Sequence, residues 1–254
     1  MKVTKILVSQ PESSSYSGLK NKKNIHVDFW PFIKTENLSL PEIRKQKIDF
    51  SSFGAVIFTS KNAMDHYFRV AKEMRFEVPD SMKYFCPIEA IAYYLQKYVV
   101  YRKRKIYVGE KDFKSLLPFF KKQSKEKFIL PSSNIINPEI TTLLDTLELE
   151  WKRAILFNTI SSDLSNLNYQ DYQIIVFFTP AGIKSLFDNF STFKQGNIKI
   201  ATFGKGTFDY AYEMGLKVDI KVPSLEYSSS MVMALEKYLK KEGILNNKEK
   251  VSHY

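Results

Sequence analysis

Short apolar runs alternate with amphipathic stretches along almost the whole chain, and each pair reads as a β-strand followed by a helix. Residues 5–9 and 25–29 predict two strands around a polar, serine-rich segment. Residues 55–59, Ala-Val-Ile-Phe-Thr, predict a strand buried on both faces, because a continuous β-branched and aromatic run leaves no polar side for solvent. In residues 62–74 the apolar positions Ala63, Met64, Tyr67, Phe68, Ala71 and Met74 recur at helical spacing. The rhythm continues with strand 83–86 and helix 88–98, strand 106–108 and helix 113–122, then strand 128–130 and helix 138–147. Pro138 opens that last helix, where its missing N–H costs nothing. A long strand, 151–160, precedes a polar stretch, after which strands 174–179, 198–203 and 217–220 alternate with helices 181–190 and 207–214. A final helix, 228–241, is closed by Gly243. Strand–helix alternation of this kind specifies an α/β fold with parallel sheets.

Self-comparison adds an internal repeat. Val56-Ile57-Phe58-Thr59 aligns with Val176-Phe177-Phe178-Thr179, 120 positions later, and a helix follows each directly. Downstream, residues 83–99 and 199–218 again pair a strand with a short loop and a helix, so two similar α/β domains are expected. The length agrees: 254 residues correspond to about 1.7 domains. Hydrophobic residues at 44% with only 9 glycines and 10 prolines exclude a disordered or collagen-like chain.

Charge and cysteine content narrow the setting. A formal net charge of +11 points to acidic partners, whether nucleic acid, an anionic membrane or a polyanionic small molecule. The single cysteine, Cys86, rules out an intrachain disulfide and a cysteine-rich metal site, reads as a buried small hydrophobe, and fits a cytoplasmic location. No apolar run approaches the ~20 residues of a membrane span. The start of the chain has no signal-peptide pattern. His26, His66 and His253 lack ligand spacing and read as surface or half-buried imidazoles, so no metal site is expected.

The candidate chemistry sits where strands end and helices begin. Thr59-Ser60-Lys61-Asn62 and Thr179-Pro180-Ala181-Gly182 each follow a buried strand and open a helix, whose free N–H groups and positive dipole end favour anions. Such turns lie at the carboxyl ends of parallel strands, where open α/β sheets bind ligands, although Ser and Thr also cap helices that bind nothing. A third turn, Phe203-Gly204-Lys205-Gly206-Thr207, fits neither the G-x-x-x-x-G-K-S/T loop nor G-x-G-x-x-G, since Asp209 stands where the last glycine belongs. It suits an anion-binding loop with Lys205 as counter-charge. The basic run Tyr101-Arg102-Lys103-Arg104-Lys105 is a candidate nucleic-acid contact, but lysine dominates along the chain and the charge is spread over many surfaces. No carboxylate pair and no nucleophile stands out, so any catalysis would rest on positioning and electrostatics.

Taken in order, these motifs resemble the uroporphyrinogen-III synthase family. The residues carrying the likeness are Ile6-Leu7-Val8-Ser9-Gln10-Pro11, Val56-Ile57-Phe58-Thr59-Ser60-Lys61-Asn62-Ala63, Val176-Phe177-Phe178-Thr179-Pro180-Ala181-Gly182, and Ile200-Ala201-Thr202-Phe203-Gly204-Lys205-Gly206-Thr207 with Ala211 and Gly215-Leu216. The resemblance implies two doubly wound parallel-sheet domains joined by a two-stranded ladder, one inserted in the other. The outer domain would comprise residues 1–35 and 160–243, the inserted domain 37–150, the ladder 29–36 with 151–159, and a frayed tail 244–254. It implies cyclisation of hydroxymethylbilane, a linear tetrapyrrole with eight carboxylates, to uroporphyrinogen III through dehydration and a spiro intermediate, with inversion of the last pyrrole ring. No cofactor and no metal are implied. The substrate would arrive from hydroxymethylbilane synthase, at a monomer that needs neither membrane nor nucleic acid. A cleft between domains would face Thr59, Ser60 and Asn62 toward Thr179 and Thr207 as substrate contacts, with Ser9, Ser132, Ser133 and Lys205 as further candidates.

The chain departs from the family pattern in four places. Phe157 stands where the family often has Tyr, a candidate proton donor, and Gln10 where Arg is usual. Cys86-Pro87-Ile88-Glu89-Ala90-Ile91 replaces a Gly/Thr-bearing turn, so no binding residue is carried over there, and Lys205-Gly206 stands where Pro-Thr is common. Two alternatives therefore stay open: a non-catalytic member that binds a tetrapyrrole or a partner, and a basic α/β module that binds nucleic acid through residues 102–105.

Overall fold

A computed structural model describes residues 3–110, 112–227 and 230–245. In chain order the elements are β1 (Thr4–Val8), α1 (Ser17–Lys20), β2 (Ile25–Phe29), β3 (Ile33–Asn37), α2 (Leu40–Arg44), β4 (Ala55–Ile57), α3 (Lys61–Met74), β5 (Lys83–Cys86), α4 (Glu89–Tyr94), β6 (Ile106–Val108) and α5 (Leu117–Lys122). There follow β7 (Phe128–Ser133), α6 (Pro138–Thr146), β8 (Trp151–Ser161), β9 (Ile174–Phe177), α7 (Pro180–Asn189), β10 (Lys199–Phe203), α8 (Lys205–Glu213), β11 (Val218–Val222) and α9 (Met231–Lys241). The chain divides into two units, Met1–Lys34 with Ile160–Tyr254 (unit 1) and Thr35–Thr159 (unit 2).

Unit 1 contains a five-stranded sheet in the order β11-β10-β9-β1-β2, parallel at every pair. Alternation along the strands buries both faces. Ile6, Val8, Val176 and Ile220 pack against Leu19 of α1 and Met231, Leu235 and Leu239 of α9. Leu7, Ile175, Phe177 and Ile200 face the other way, against Ile183 and Leu186 of α7 and Ala211 of α8. Unit 2 is built on the same plan. Its strands form the order β3-β8-β7-β4-β5-β6, with the pairs from β8 to β6 all parallel. Val56, Phe58, Tyr84 and Ile129 pack on α3 and α4, while Ile57, Phe85, Phe128 and Leu130 pack on Phe120 of α5 and Leu144 of α6.

The repeat and the compact unit do not coincide. Ile6-Leu7-x-Ser9 on β1 recurs as Ile129-Leu130-x-Ser132 on β7, and the spatial order β11-β10-β9-β1-β2 is matched strand for strand by β6-β5-β4-β7-β8. Of the five matched strands, each unit therefore takes two from one copy of the repeat and three from the other, and the unit 2 sheet adds β3.

Several segments differ from the sequence expectation. The segment beside β8 is Ile33–Asn37, not 29–36: Phe29 closes β2, and Pro31, with no N–H to give a ladder, separates the two strands. β8 also pairs with β7, so the expected ladder is part of the six-stranded sheet. β7 continues to Ser133 because β8 supplies partners through Ser132 and Ser133. α2, unforeseen, is held by a capping box between Ser39 and Glu42. Helix α9 starts at Met231 behind the Ser230 cap; Ser228 and Ser229 lie outside the described residues. Ile244 and Leu245 are not frayed: both N–H groups bond to Leu239 O, at 2.9 and 3.1 Å, and Leu245 is buried against α9. Residues 246–254, with His253, lie outside the described residues.

Candidate functional site

Strand order reverses between β4 and β7 in unit 2 and between β1 and β9 in unit 1. The helices that leave each such pair cover opposite faces of the sheet, so a crevice opens at the strands' carboxyl ends, the usual ligand position of an open α/β sheet.

In unit 2 this crevice is a cavity of about 300 Å³ lined by Thr59, Ser60, Asn62, Ala63, Ser132, Ser133, Asn137, Phe157, Thr159 and three isoleucines. Five residues nominated from sequence, Thr59, Ser60, Asn62, Ser132 and Ser133, thus come together here with Phe157. Two helices start on it. Ser60 Oγ accepts from Ala63 N–H at 3.1 Å to cap α3, and Asn137 Oδ1 accepts from Glu139 N–H at 3.0 Å to cap α6. The positive ends of both helix dipoles meet the cavity. Ser133 is closed in its own turn, donating to Ile135 O at 2.7 Å and accepting from Ile135 N–H at 3.1 Å. Ser132 Oγ accepts from Arg153 Nε at 2.8 Å. Thr159 N–H donates to Asn134 Oδ1 at 2.8 Å and Asn134 N–H to Phe157 O at 3.1 Å, which ties the loop after β7 to β8.

Phe157, 4% exposed, stacks on His66 with ring centroids 4.1 Å apart and planes 12° from parallel. His66 is therefore a core residue, contrary to the half-buried or surface place expected for it. Burial lowers its pKa, Arg69 adds to the effect, and Asp65 opposes it. The cavity wall presents hydroxyls, amides and apolar groups. It can bind and orient an anion, and none of its lining side chains is an acid of near-neutral pKa.

In unit 1 Thr179 Oγ1 accepts from Gly182 N–H at 3.1 Å to cap α7. Ser9, buried at the end of β1, donates its N–H to Val176 O at 3.1 Å. Its Oγ and Thr179 Oγ1 both lie beside Gly182, each 3.6 Å from where a Cβ would stand. Thr207 is buried in the first turn of α8. The Phe203-to-Thr207 segment is less a loop than expected: α8 begins at Lys205, capped by Gly204 at φ +84°. Lys205 is exposed and paired with Asp209 at 2.5 Å. Gln10 is exposed. A larger cavity, about 910 Å³, lies at the opposite, amino end of the unit 1 strands among Thr4, Ile174 and Lys199, away from every nominated residue.

Sequence reasoning missed Asn137, Thr159 and Arg153. Asn137-Pro138 carries a readable cap signature; Arg153 is placed only by strand pairing. Elsewhere, Arg102 pairs with Asp80 at 3.4 Å and Lys105 also bonds to Asp80, so half of the basic run is engaged within the protein. Cys86 is a buried free thiol whose pKa burial raises to about 12. Among the described residues no helix is long and apolar enough to cross a membrane, and no group of three or more His, Cys, Asp or Glu could hold a metal.

Residues 14–244 match the family described as uroporphyrinogen-III synthase HemD. The chain belongs to the uroporphyrinogen-III synthase family. Two solved structures share its fold. A mutant uroporphyrinogen III synthase from the extremely thermophilic bacterium Thermus thermophilus has 14% identity and a TM-score of 0.62, over 95% of this chain and 99% of that one. The uroporphyrinogen-III synthetase of Helicobacter pylori has 17% identity and the same TM-score, over 94% of this chain and all of that one. No curated protein matches the sequence significantly. In this member of the uroporphyrinogen-III synthase family, Phe157, a ring without a hydroxyl, lines the unit 2 cavity.

Proposed function

We propose that this protein cyclises hydroxymethylbilane to uroporphyrinogen III, with loss of water and inversion of the last pyrrole ring. The observation that carries the reading is the family match over residues 14–244. The geometry supports it: a substrate with eight carboxylates suits turns at strand ends where helix N-termini, hydroxyls and amides collect. Thr59, Ser60, Asn62 and Ser132 are the carboxylate contacts in unit 2; Ser9, Thr179 and Thr207 play that part in unit 1. The departing hydroxide takes its proton from water or from a substrate carboxyl, because Phe157 has none to give. The protein's own contribution is to hold a flexible chain in the conformer that closes through the inverted ring, an effect of position more than of acid catalysis. The setting that fits is a cytoplasmic monomer supplied by hydroxymethylbilane synthase.

Hydroxymethylbilane generated in situ, followed by oxidation and separation of the porphyrin isomers, tests the proposal. The type III isomer is expected; formation of type I alone, the product without enzyme, would overturn it. Phe157 and Gln10 favour a second reading, a member that binds a tetrapyrrole without turning it over. Phe157→Tyr separates the two, since a large gain in rate would reveal a complete site that lacks only its donor.

A further inference from the structure

We propose that Arg153 is the charge that selects a carboxylate in the unit 2 cavity, acting through Ser132. The inference rests on the reading above that the ligand is a polycarboxylate. Arg153 lies on β8 beside Leu130 of β7, and its side chain runs along the sheet to the carboxyl end of β7. There Nε donates to Ser132 Oγ at 2.8 Å, and one terminal nitrogen donates to Ser133 O at 2.6 Å and Asn134 O at 2.9 Å. All three acceptors are neutral, and among the described residues no carboxylate pairs with this guanidinium. A half-buried cation without a counter-ion is costly, and the cost falls when an anion arrives.

Two details show what the arrangement does. The carbonyls of Ser133 and Asn134 are turned toward Arg153, so their negative ends are satisfied by the guanidinium. Ser132 Oγ, which lines the cavity, accepts from the guanidinium while its own O–H rests on Ser133 O at 3.1 Å; an arriving carboxylate takes that O–H over from the carbonyl, and the cation on the oxygen's lone pair makes it a stronger donor.

The repeat supplies an internal control. In unit 1 the position beside Leu7, which matches Leu130, holds Asp28, and its carboxylate is fully engaged with Tyr172 Oη at 2.9 Å and His26 Nε2 at 3.0 Å. The fold thus accommodates either charge at this strand position, and the cation without a counter-ion belongs to the unit 2 copy alone of the two.

The test uses Arg153→Gln and Arg153→Lys in the full chain, with uroporphyrin III as a non-reacting octacarboxylate probe beside turnover of hydroxymethylbilane. Losing a charged hydrogen-bond donor weakens uroporphyrin binding and raises KM by about tenfold in R153Q, with kcat within about twofold. The dependence of binding on salt becomes shallower, and R153K recovers part of the affinity. Unchanged affinity in R153Q, or an R153K that binds as weakly as R153Q and melts at the same lowered temperature, would overturn the proposal. Should the wild type yield only the type I isomer while R153Q still loses uroporphyrin affinity, the synthase reading falls and the role of Arg153 stands.

Discussion

Two glycines in one turn should respond to alanine in opposite directions. Gly204 caps α8 at φ +84° and ψ 149°, a region closed to side-chain-bearing residues, and no atom lies within 4 Å of where its Cβ would stand. Gly204→Ala therefore meets no steric clash, and its cost is the backbone conformation alone, about 1–3 kcal/mol. The strain has no easy escape. Gly204 N–H donates to Val222 O at 2.7 Å and its carbonyl accepts from Phe208 N–H at 3.1 Å, so relaxing φ would break a strand contact or the first bond of the helix. Gly206 also faces open space, lies inside the first turn of α8 and has no positive φ. Alanine there removes unfolded-state freedom and stabilises by up to about 1 kcal/mol. At about 2–4 °C per kcal/mol for a chain of this size, Gly204→Ala lowers Tm by about 2–12 °C and Gly206→Ala raises it by up to about 4 °C. Thermal unfolding followed by circular dichroism, with both variants side by side, reads the difference. A neutral Gly204→Ala, or two shifts of the same sign, would refute the backbone argument.

Other expectations concern the caps and the core. Ser60→Ala removes the α3 cap and costs about 1 kcal/mol, visible as a lower urea midpoint, whereas Ser60→Asp keeps the cap and the midpoint but puts a negative charge at the cavity and raises KM for the polycarboxylate. Equal KM values for wild type and Ser60→Asp would remove Ser60 from the contacts. The Cys86 thiol, raised to about 12 by burial, stays protonated in the folded protein, so iodoacetamide at pH 8 labels it only on unfolding; labelling of native protein at the unfolded rate would contradict this. Because its folded pKa exceeds the unfolded value, Cys86 contributes stability that is whole below about pH 8.5 and is lost as pH rises toward 12, and Cys86→Ala flattens that limb of a stability–pH profile.

What the sequence revealed follows from which interactions are local. β2, β5 and β6 carry their own signal as apolar runs bounded by polar residues, and their observed limits agree with the pattern. β7 reads as ending at Leu130 because Pro131, Ser132 and Ser133 are poor strand formers; only the ladder with β8 extends it. The hydroxyls around the unit 2 cavity were legible because strand ends and helix starts both announce themselves, and the topology brings such points together where strand order reverses. Arg153 was illegible for the converse reason. It sits near the start of β8, directly after Lys152 and 21 positions from the Ser132 that it contacts, and nothing local distinguishes it from a solvated arginine.

The exchanged repeat halves bear on how the candidate turns arise. The unit 2 cavity joins Thr59, Ser60 and Asn62 from the first copy to Ser132, Asn137 and Phe157 from the second. In unit 1, Ser9 comes from the first copy and Thr179 from the second. A point where strand order reverses needs a strand from each copy, so neither copy holds a facing pair of turns. The demands on folding are unequal. Thr35–Thr159 is continuous, and its sheet, apart from the first residues of β3 and the last of β8, closes among residues made one after another. β1 has to wait for β9: Lys5 N–H bonds to Gln173 Oε1 across 168 positions at 2.8 Å, and Ile6 pairs with Ile174. Contacts of such separation close late, because the loop entropy is lost before they form. The Ser9–Thr179 turn pair is therefore complete only in a chain extended past β9, whereas the cavity that carries Arg153 is closed by residues within unit 2 alone.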